Sequence, residues 1–405
     1  MLEARRLLAM DWGPYPKLIE QDKAVADFPN ITGKGVNVAI IDTGIDADHP
    51  KLQGKLWTNP DEIAGDGIDN DHDGQIDNVH GWDWVRGDNV PDDENSHGTQ
   101  MAGIIAGLPF RGSDGFDYQG IAPDAKIVPL KTIDGHGIIY TLSFAQRVER
   151  ALHWLINNHK RLNITIVNMS IGVHQDEFEA TFVDEVAQLN REGVLMIASA
   201  GHYGHNKPLE WPAADPNVYS AGMVNAQDKI PDEQQRGPML DLLGPGGNFP
   251  ILDKGGGYLV SGMASSYPTP WIVGTAALIK QVNPDFTPAQ IIDILKDSGK
   301  QISDGERSYP RIDVDAAVRL AIKRSGGNPD PDPNPNPKPK PKPKQTPFKG
   351  APFNVTSQIQ AEDFDNGGEG IAFHNVGKRK RTVYRRTPVE LLAASDDGGG
   401  YYVGS

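Results

Sequence analysis

The sequence contains no cysteine. Disulfides, thiolate nucleophiles and Cys-ligated zinc or iron–sulfur centres are therefore excluded together. No apolar run approaches the roughly 20 residues a helix needs to span a bilayer. Positive charge is in short supply: 39 Lys and Arg stand against 54 Asp and Glu, a net charge of −15. No basic face emerges to release counterions from a phosphate backbone, so nucleic acid is not an expected partner. The opening Met-Leu-Glu-Ala-Arg-Arg stretch lacks the apolar core of a signal peptide. Two locations remain open: a cytosolic protein, or an exported one whose signal and pro-segment lie upstream.

A chain of 405 residues is long enough for more than one domain. From Asn328 to Pro343 every second residue is proline. Proline fixes φ and lacks an N–H, so this stretch is expected to form a stiff polyproline II spacer. Patterned sequence resumes at Phe348, which divides the chain into 1–325, a linker 326–347 and a terminal segment 348–405.

Ahead of the spacer, Val36–Ile41, Lys126–Leu130, Ile164–Met169, Val194–Ser199 and Val218–Val224 are short, β-branched and apolar on both faces. Buried parallel strands read this way. Between them, Leu142, Ala145, Val148, Leu152, Leu155 and Ile156 recur at helical spacing. Thr287-Pro288-Ala289-Gln290 is a capping-box pattern with Pro at the first helical position. The alternation predicts an α/β fold with a mostly parallel central sheet between helical layers. Sites in such folds lie beyond the carboxyl ends of the strands.

Three segments carry chemistry. Asp42, in Asp42-Thr43-Gly44, leaves the first strand and is either a loop cap or a carboxylate orienting a histidine. His97, in His97-Gly98-Thr99, opens a helix of small residues. Ser266, in Ala264-Ser265-Ser266-Tyr267-Pro268, sits where a turn enters a buried helix, whose unpaired N–H groups favour a developing oxyanion. A serine needs a base to attack an amide, and the base needs a group that fixes its tautomer.

In the order Asp…His…Ser these segments resemble the subtilisin-like serine proteases, the subtilases. The resemblance runs from about Tyr15 to Ile322 and implies the three-layer subtilisin fold, with Asp42, His97 and Ser266 as catalytic triad. It implies protein or peptide substrates. Tyr219–Val224 and Leu243-Gly244-Pro245-Gly246 resemble further family landmarks.

Two departures from the family pattern stand out. The serine segment admits two registers: one puts Gly262 at the nucleophile position and makes the protein inert. The other puts Ser266 there, with Pro270 and Gly274 at the family spacing and no gap. Ala264 and Ser265 then replace the family's Gly and Thr. The second departure is His202, which occupies the place of the family's oxyanion Asn. Its imidazole is a candidate donor; Asn206 swinging in, or a missing second donor, are the alternatives. Substrate is expected as an added strand along Ser170, Ile171 and Gly172.

Residues 66–77 hold Asp69, Asp71, Asp73, Gln75 and Asp77 around Gly74. Carboxylates at alternate positions followed by a turning glycine suit a hard cation with six to eight oxygen ligands, so these five are the expected Ca2+ ligands. Window 61–96 holds 12 acidic residues and one basic, Arg86. That excess points to a second ion or to solubility.

Gln358–Gly370, Tyr384-Arg385-Arg386 and Gly398–Gly404 resemble the start of a family 6 carbohydrate-binding module. The resemblance implies a β-sandwich truncated in this chain and a polysaccharide partner. The main expectation is a calcium-stabilised serine endopeptidase, exported to the extracellular space or cell envelope. The rivals are a catalytically silent subtilase-fold scaffold for binding or adhesion, and an intracellular processing peptidase. Oligomeric state is unknown at this stage.

Overall fold

The computed structural model describes residues 10–137, 141–173 and 182–327, with the backbone of 391–393 and 401–403. The described strands are β1 Asn37–Asp42, β2 Trp82–Asp83, β3 Phe110–Arg111, β4 Asp117–Tyr118, β5 Lys126–Lys131, β6 Ile164–Met169, β7 Leu195–Ser199 and β8 Tyr219–Val224. They continue with β9 Leu242–Pro245, β10 Pro250–Asp253, β11 Gly257–Val260, β12 Lys300–Ser303, β13 Ser308–Arg311, β14 Leu391–Ala393 and β15 Tyr401–Val403. The described helices are α1 Pro14–Leu18, α2 Gln21–Asp27, α3 His97–Ala106, α4 Leu142–Asn158, α5 Val183–Arg191, α6 Pro268–Val282, α7 Pro288–Ser298 and α8 Val314–Arg324.

Nine strands form one sheet in the order β12-β13-β9-β8-β7-β6-β1-β5-β2. Every neighbouring pair is parallel except the edge pair β12–β13. The alternation of β1 decides which helices cover which face, because successive side chains of a strand point to opposite sides. Val38 and Ile40 pack in the cluster that holds Met101 of α3, Ile272 of α6, Ile291 of α7 and Val318 of α8. Ala39 and Ile41 pack in the other, with Leu152 and Leu155 of α4 and Val186 and Leu189 of α5. The result is the expected three-layer α/β/α sandwich. A one-residue slip of β1 would exchange the two sets, so the register is strongly specified.

The strands read from sequence appear within one residue at either end. The α4 stripe needs one adjustment: Leu142 is 64% exposed, and the buried stripe starts at Phe144 and Ala145. Leu142 is the first helical residue, where Thr141 Oγ1 caps the Phe144 N–H at 3.1 Å. The Thr287–Gln290 capping box forms in both directions, at 3.3 and 2.9 Å.

Chain contacts divide into two units, Met1–Pro335 and Asn336–Ser405. In the second, β14 pairs antiparallel with β15, Leu391 opposite Val403. The expected polyproline spacer and the rest of the expected carbohydrate-binding segment lie outside the described residues.

Candidate active site and acidic loop

Asp42 is the last residue of β1, at the carboxyl edge of the sheet, and is 1% exposed. His97 is the first residue of α3, and its Nδ1 lies 2.8 and 3.0 Å from the two Asp42 carboxylate oxygens. A carboxylate can only accept, so Nδ1 carries the proton and Nε2 is left as the basic nitrogen. Burial alone pulls the His97 imidazole down, but the charge of Asp42 and its hydrogen bond outweigh it and raise the pKa above the ordinary 6.5.

The two glycines of the motifs make this approach possible. Gly44 has φ +101, and a Cβ there would lie 2.5 Å from the Pro91 and Asp92 carbonyl oxygens. A Cβ on Gly98 would lie 2.0 Å from the Gly44 oxygen. Sequence reasoning missed the group that ties the two motifs together. The buried Asp93 carboxylate accepts from Thr43 Oγ1, from the Asn95 and Ser96 N–H groups, and from Thr99 N–H and Oγ1, at 2.6–2.9 Å. Asp93 lies in the run Asp92-Asp93-Glu94, where nothing in the sequence separates it from its neighbours. The preceding turn is held in an unusual conformation, with Ser96 at φ +104.

Ser266 is half-buried in the turn before α6 and lines a cleft of about 360 Å³ together with His97, Ser170, Ile171, Gly172 and His202. Ser170 Oγ donates to the Ser266 carbonyl at 2.9 Å, which fixes the turn against the end of β6. Among the described residues no hydrogen bond joins His97 to Ser266. Nucleophile–base contacts are often loose until substrate closes them. Gly262, the other register, lies beside Gly247 next to an isolated bridge and is not part of the cleft lining.

His202 follows the turn after β7, and burial lowers its pKa. Its Nδ1 lies 2.9 Å from Ser265 Oγ, and Ser199 Oγ donates to that same oxygen at 2.8 Å. With Ser199 as donor, the Ser265 hydroxyl proton is free to point at His202 Nδ1. That order leaves Nε2 of a neutral His202 as the N–H. Nothing in the sequence distinguishes Ser265 as the partner of His202; Asn206 is exposed and outside the cleft lining.

In the acidic loop several of the expected ligands have partners beyond the motif. Asp69 and Asp71 each offer a carboxylate oxygen within 4.8 Å of one another and of Glu62, a residue the motif does not include. Glu62 Oε1 accepts from the Asn70 and Asp71 N–H groups, while the buried Oε2 has no hydrogen-bond partner. Asp73 Oδ2 instead accepts from Trp154 Nε1 at 2.7 Å and Asn78 Nδ2 at 2.9 Å. The Asp77 carboxylate caps the N–H groups of Gly65, Asp66 and Gly67. Gln75 follows Asp73, whose Oδ1 accepts its N–H at 3.0 Å.

The counter-charge also comes from outside the loop. Arg161 reaches Asp61 at 2.5 Å and Asp71 at 2.7 Å. Lys131, fully buried, reaches Glu94 at 2.6 Å and Asp83 at 3.5 Å. Part of the acidic excess is thus neutralised by cations distant in sequence, an option beyond the second ion or solubility considered above.

Comparison with known proteins agrees with this architecture. The Subtilase family matches residues 33–318. The chain belongs to the subtilase family. Subtilisin BL from Lederbergia lenta is 30% identical over 274 residues, 67% of this chain and 86% of that protein. Subtilisin-like protease 1 of Plasmodium berghei is 28% identical over 312 residues, 70% of this chain and 50% of its own length. In fold, a solved cold-adapted subtilisin-like serine proteinase superposes with TM-score 0.53 at 24% identity, covering 69% of this chain and 89% of that one. The reaction type that goes with this subtilase family is serine endopeptidase hydrolysis. No described helix is long and apolar enough to cross a membrane.

Proposed function

We propose that this subtilase cleaves peptide bonds in proteins, with Ser266 as nucleophile, His97 as general base and acid, and Asp42 as the group that orients His97. The observation that carries the reading is the His97 Nδ1–Asp42 pair at 2.8 Å facing a cleft that Ser266 also lines. His97 Nε2 takes the Ser266 proton as Oγ attacks the carbonyl carbon. The proton then goes to the leaving amine as the C–N bond breaks, leaving an acyl-serine. Water, deprotonated by the same Nε2, attacks the ester and releases the acid, restoring the hydroxyl. The developing oxyanion is held by the Ser266 N–H and by His202 Nε2–H, the tautomer that Ser265 supports. Substrate lies along Ser170, Ile171 and Gly172.

A serine-directed fluorophosphonate tests the reading. It labels the wild type and fails to label Ser266→Ala, with casein hydrolysis lost in parallel. Absence of label on the wild type overturns the reading in favour of a silent scaffold.

Glu62, Asp69 and Asp71 are the groups that fit a calcium ion, as an all-oxygen donor set with one buried carboxylate oxygen lacking a partner. Bound calcium supplies a cross-link within the loop. The organisation of the whole protein follows the sequence: a catalytic domain 1–325, a spacer 326–347 and the polysaccharide-directed segment 348–405 of an extracellular enzyme.

A further inference from the structure

The two groups proposed to react in the cleft hang from different strands. His97 is tied to the end of β1, by Nδ1 on Asp42 at 2.8 Å and by the Gly98 N–H on Thr43 Oγ1 at 2.9 Å. Ser266 is tied to the ends of β6 and β7. Ser170 Oγ donates to its carbonyl at 2.9 Å, and Ser199 Oγ donates to Ser265 Oγ at 2.8 Å. These anchors fix each group against the sheet, and none of them runs from one group to the other. A bond from Tyr267 does. Tyr267 follows Ser266, is the N-cap residue of α6, and donates its hydroxyl proton to Gln100 Oε1 at 3.2 Å. Gln100 lies three residues after His97 on α3, where side chains are neighbours on one helix flank. Both residues are buried. Among the described residues no other hydrogen bond joins α3 to the Ser266 turn or to α6. The Tyr267 ring stands edge-on against Phe249, centroids 5.6 Å apart, and Phe249 packs in turn on Trp271 of α6 at 5.5 Å. The ring cannot swing away without opening that packed cluster.

We propose that Tyr267 is a positioning residue whose bond to Gln100 sets how closely His97 Nε2 and Ser266 Oγ approach each other. The proposal rests on the endopeptidase reading of the same cleft. Among the described residues no hydrogen bond joins His97 to Ser266, so proton transfer follows a closing movement. A strap beside both partners confines that movement to a short approach and keeps α3 from drifting off the serine turn. A misplacement of about 1 Å at such a step costs about 10²-fold in rate, and loss of one support among several costs less. Burial pushes the Tyr267 phenol up to about 12, so its hydroxyl stays protonated while His97 titrates nearer neutrality. The strap is therefore in place in both states of the base.

The test compares the full chain with Tyr267→Phe, Gln100→Met and the double variant, each checked for folding by its thermal melt. Tyr267→Phe keeps the ring on Phe249 and removes only the oxygen. With an Ala-Ala-Pro-Phe p-nitroanilide, kcat falls about tenfold while KM changes by less than about twofold. The rate of fluorophosphonate labelling falls in parallel. The acid limb of the pH profile stays in place, because the Asp42–His97 pair is untouched. Gln100→Met, which supplies the comparison should Tyr267→Phe melt early, gives the same loss. The double variant loses no more than either single one, since each removes the same bond. Unchanged kcat and labelling in the two single variants, additive losses in the double variant, or a shifted acid limb overturns this proposal and leaves the endopeptidase standing. A wild type that neither takes the label nor hydrolyses the peptide overturns both.

Discussion

His97 carries two opposed demands that its pair with Asp42 reconciles. In its proposed role as base it must be neutral, and its raised pKa means that this form dominates only above the ordinary imidazole value of 6.5. The fold has the reverse preference. The folded chain holds this proton more tightly than the unfolded one, so the pair stabilises the protein below 6.5 and that contribution fades as pH rises through the folded value. The acid limb of kcat/KM therefore lies above 6.5 in the wild type. Asp42→Asn removes the two larger raising causes, leaving only the charge of Asp93 against the burial that lowers the pKa. The limb should move to lower pH and the plateau fall by about 10⁴-fold; a limb that stays in place contradicts the assignment. The oxyanion side gives a second residue-scale prediction. His202→Ala should lower kcat by about 10²–10³ with little change in KM. Ser265→Ala, which only frees the tautomer, should lower it less, and equal losses would count against the ordering of Ser199, Ser265 and His202. That Asp42 and His97 would meet was legible because each sits in a short motif at an element end. Ser265 was not, because its role depends on β7 and the α6 turn meeting across 66 residues of chain.

At the scale of elements, the site depends on how α3 is anchored to the end of β1. A helix beginning at His97 has several N–H groups without intrahelical partners, and here Asp93 takes two of them, those of Ser96 and Thr99, together with the Asn95 N–H just ahead of the cap. Through Thr43 Oγ1, which accepts from Gly98 N–H at 2.9 Å, the same carboxylate holds both motifs in one network. Asp93→Ala leaves these buried donors without an acceptor, which costs at least about 2 kcal/mol. The expected result is a lower melting temperature together with a fall in kcat that exceeds any change in KM, since α3 carries the proposed base and not the proposed substrate strand. A variant that melts normally and keeps wild-type kcat would show that α3 does not need this anchor. The element pattern was largely legible. β1, β5, β6, β7 and β8 are buried on both faces, and β-branched runs betray that burial. β2, of two residues, carries no periodicity of its own. It exists because Trp82 and Asp83 pair with Leu130 and Lys131 of β5.

For the molecule as a whole, a net charge of −15 is concentrated unevenly, and the question is what balances it in the loop around residues 61–77. Sequence spacing alone favoured a ring of Asp69, Asp71, Asp73, Gln75 and Asp77. It could not register Arg161, 90 residues from Asp71, or the indole N–H of Trp154, because both arrive from the α4 side of the sandwich. Arg161 neutralises Asp61 and Asp71 from one side, while Glu62, Asp69 and Asp71 converge on another point. Two sources of compensation are thereby separable by experiment. If calcium occupies the Glu62 cluster, saturating metal adds about 2.7 kcal/mol at a hundredfold excess over Kd, a shift of about 5 °C in melting temperature. EDTA should remove that shift, added calcium should restore it, and Glu62→Gln should weaken it even though Asp73 and Asp77 are untouched. Arg161→Ala should lower the melting temperature with calcium present and make the chelator effect larger, because the ion is then the main remaining counter-charge for Asp71. A protein indifferent to EDTA but strongly destabilised by Arg161→Ala would mean that the guanidinium alone neutralises the loop.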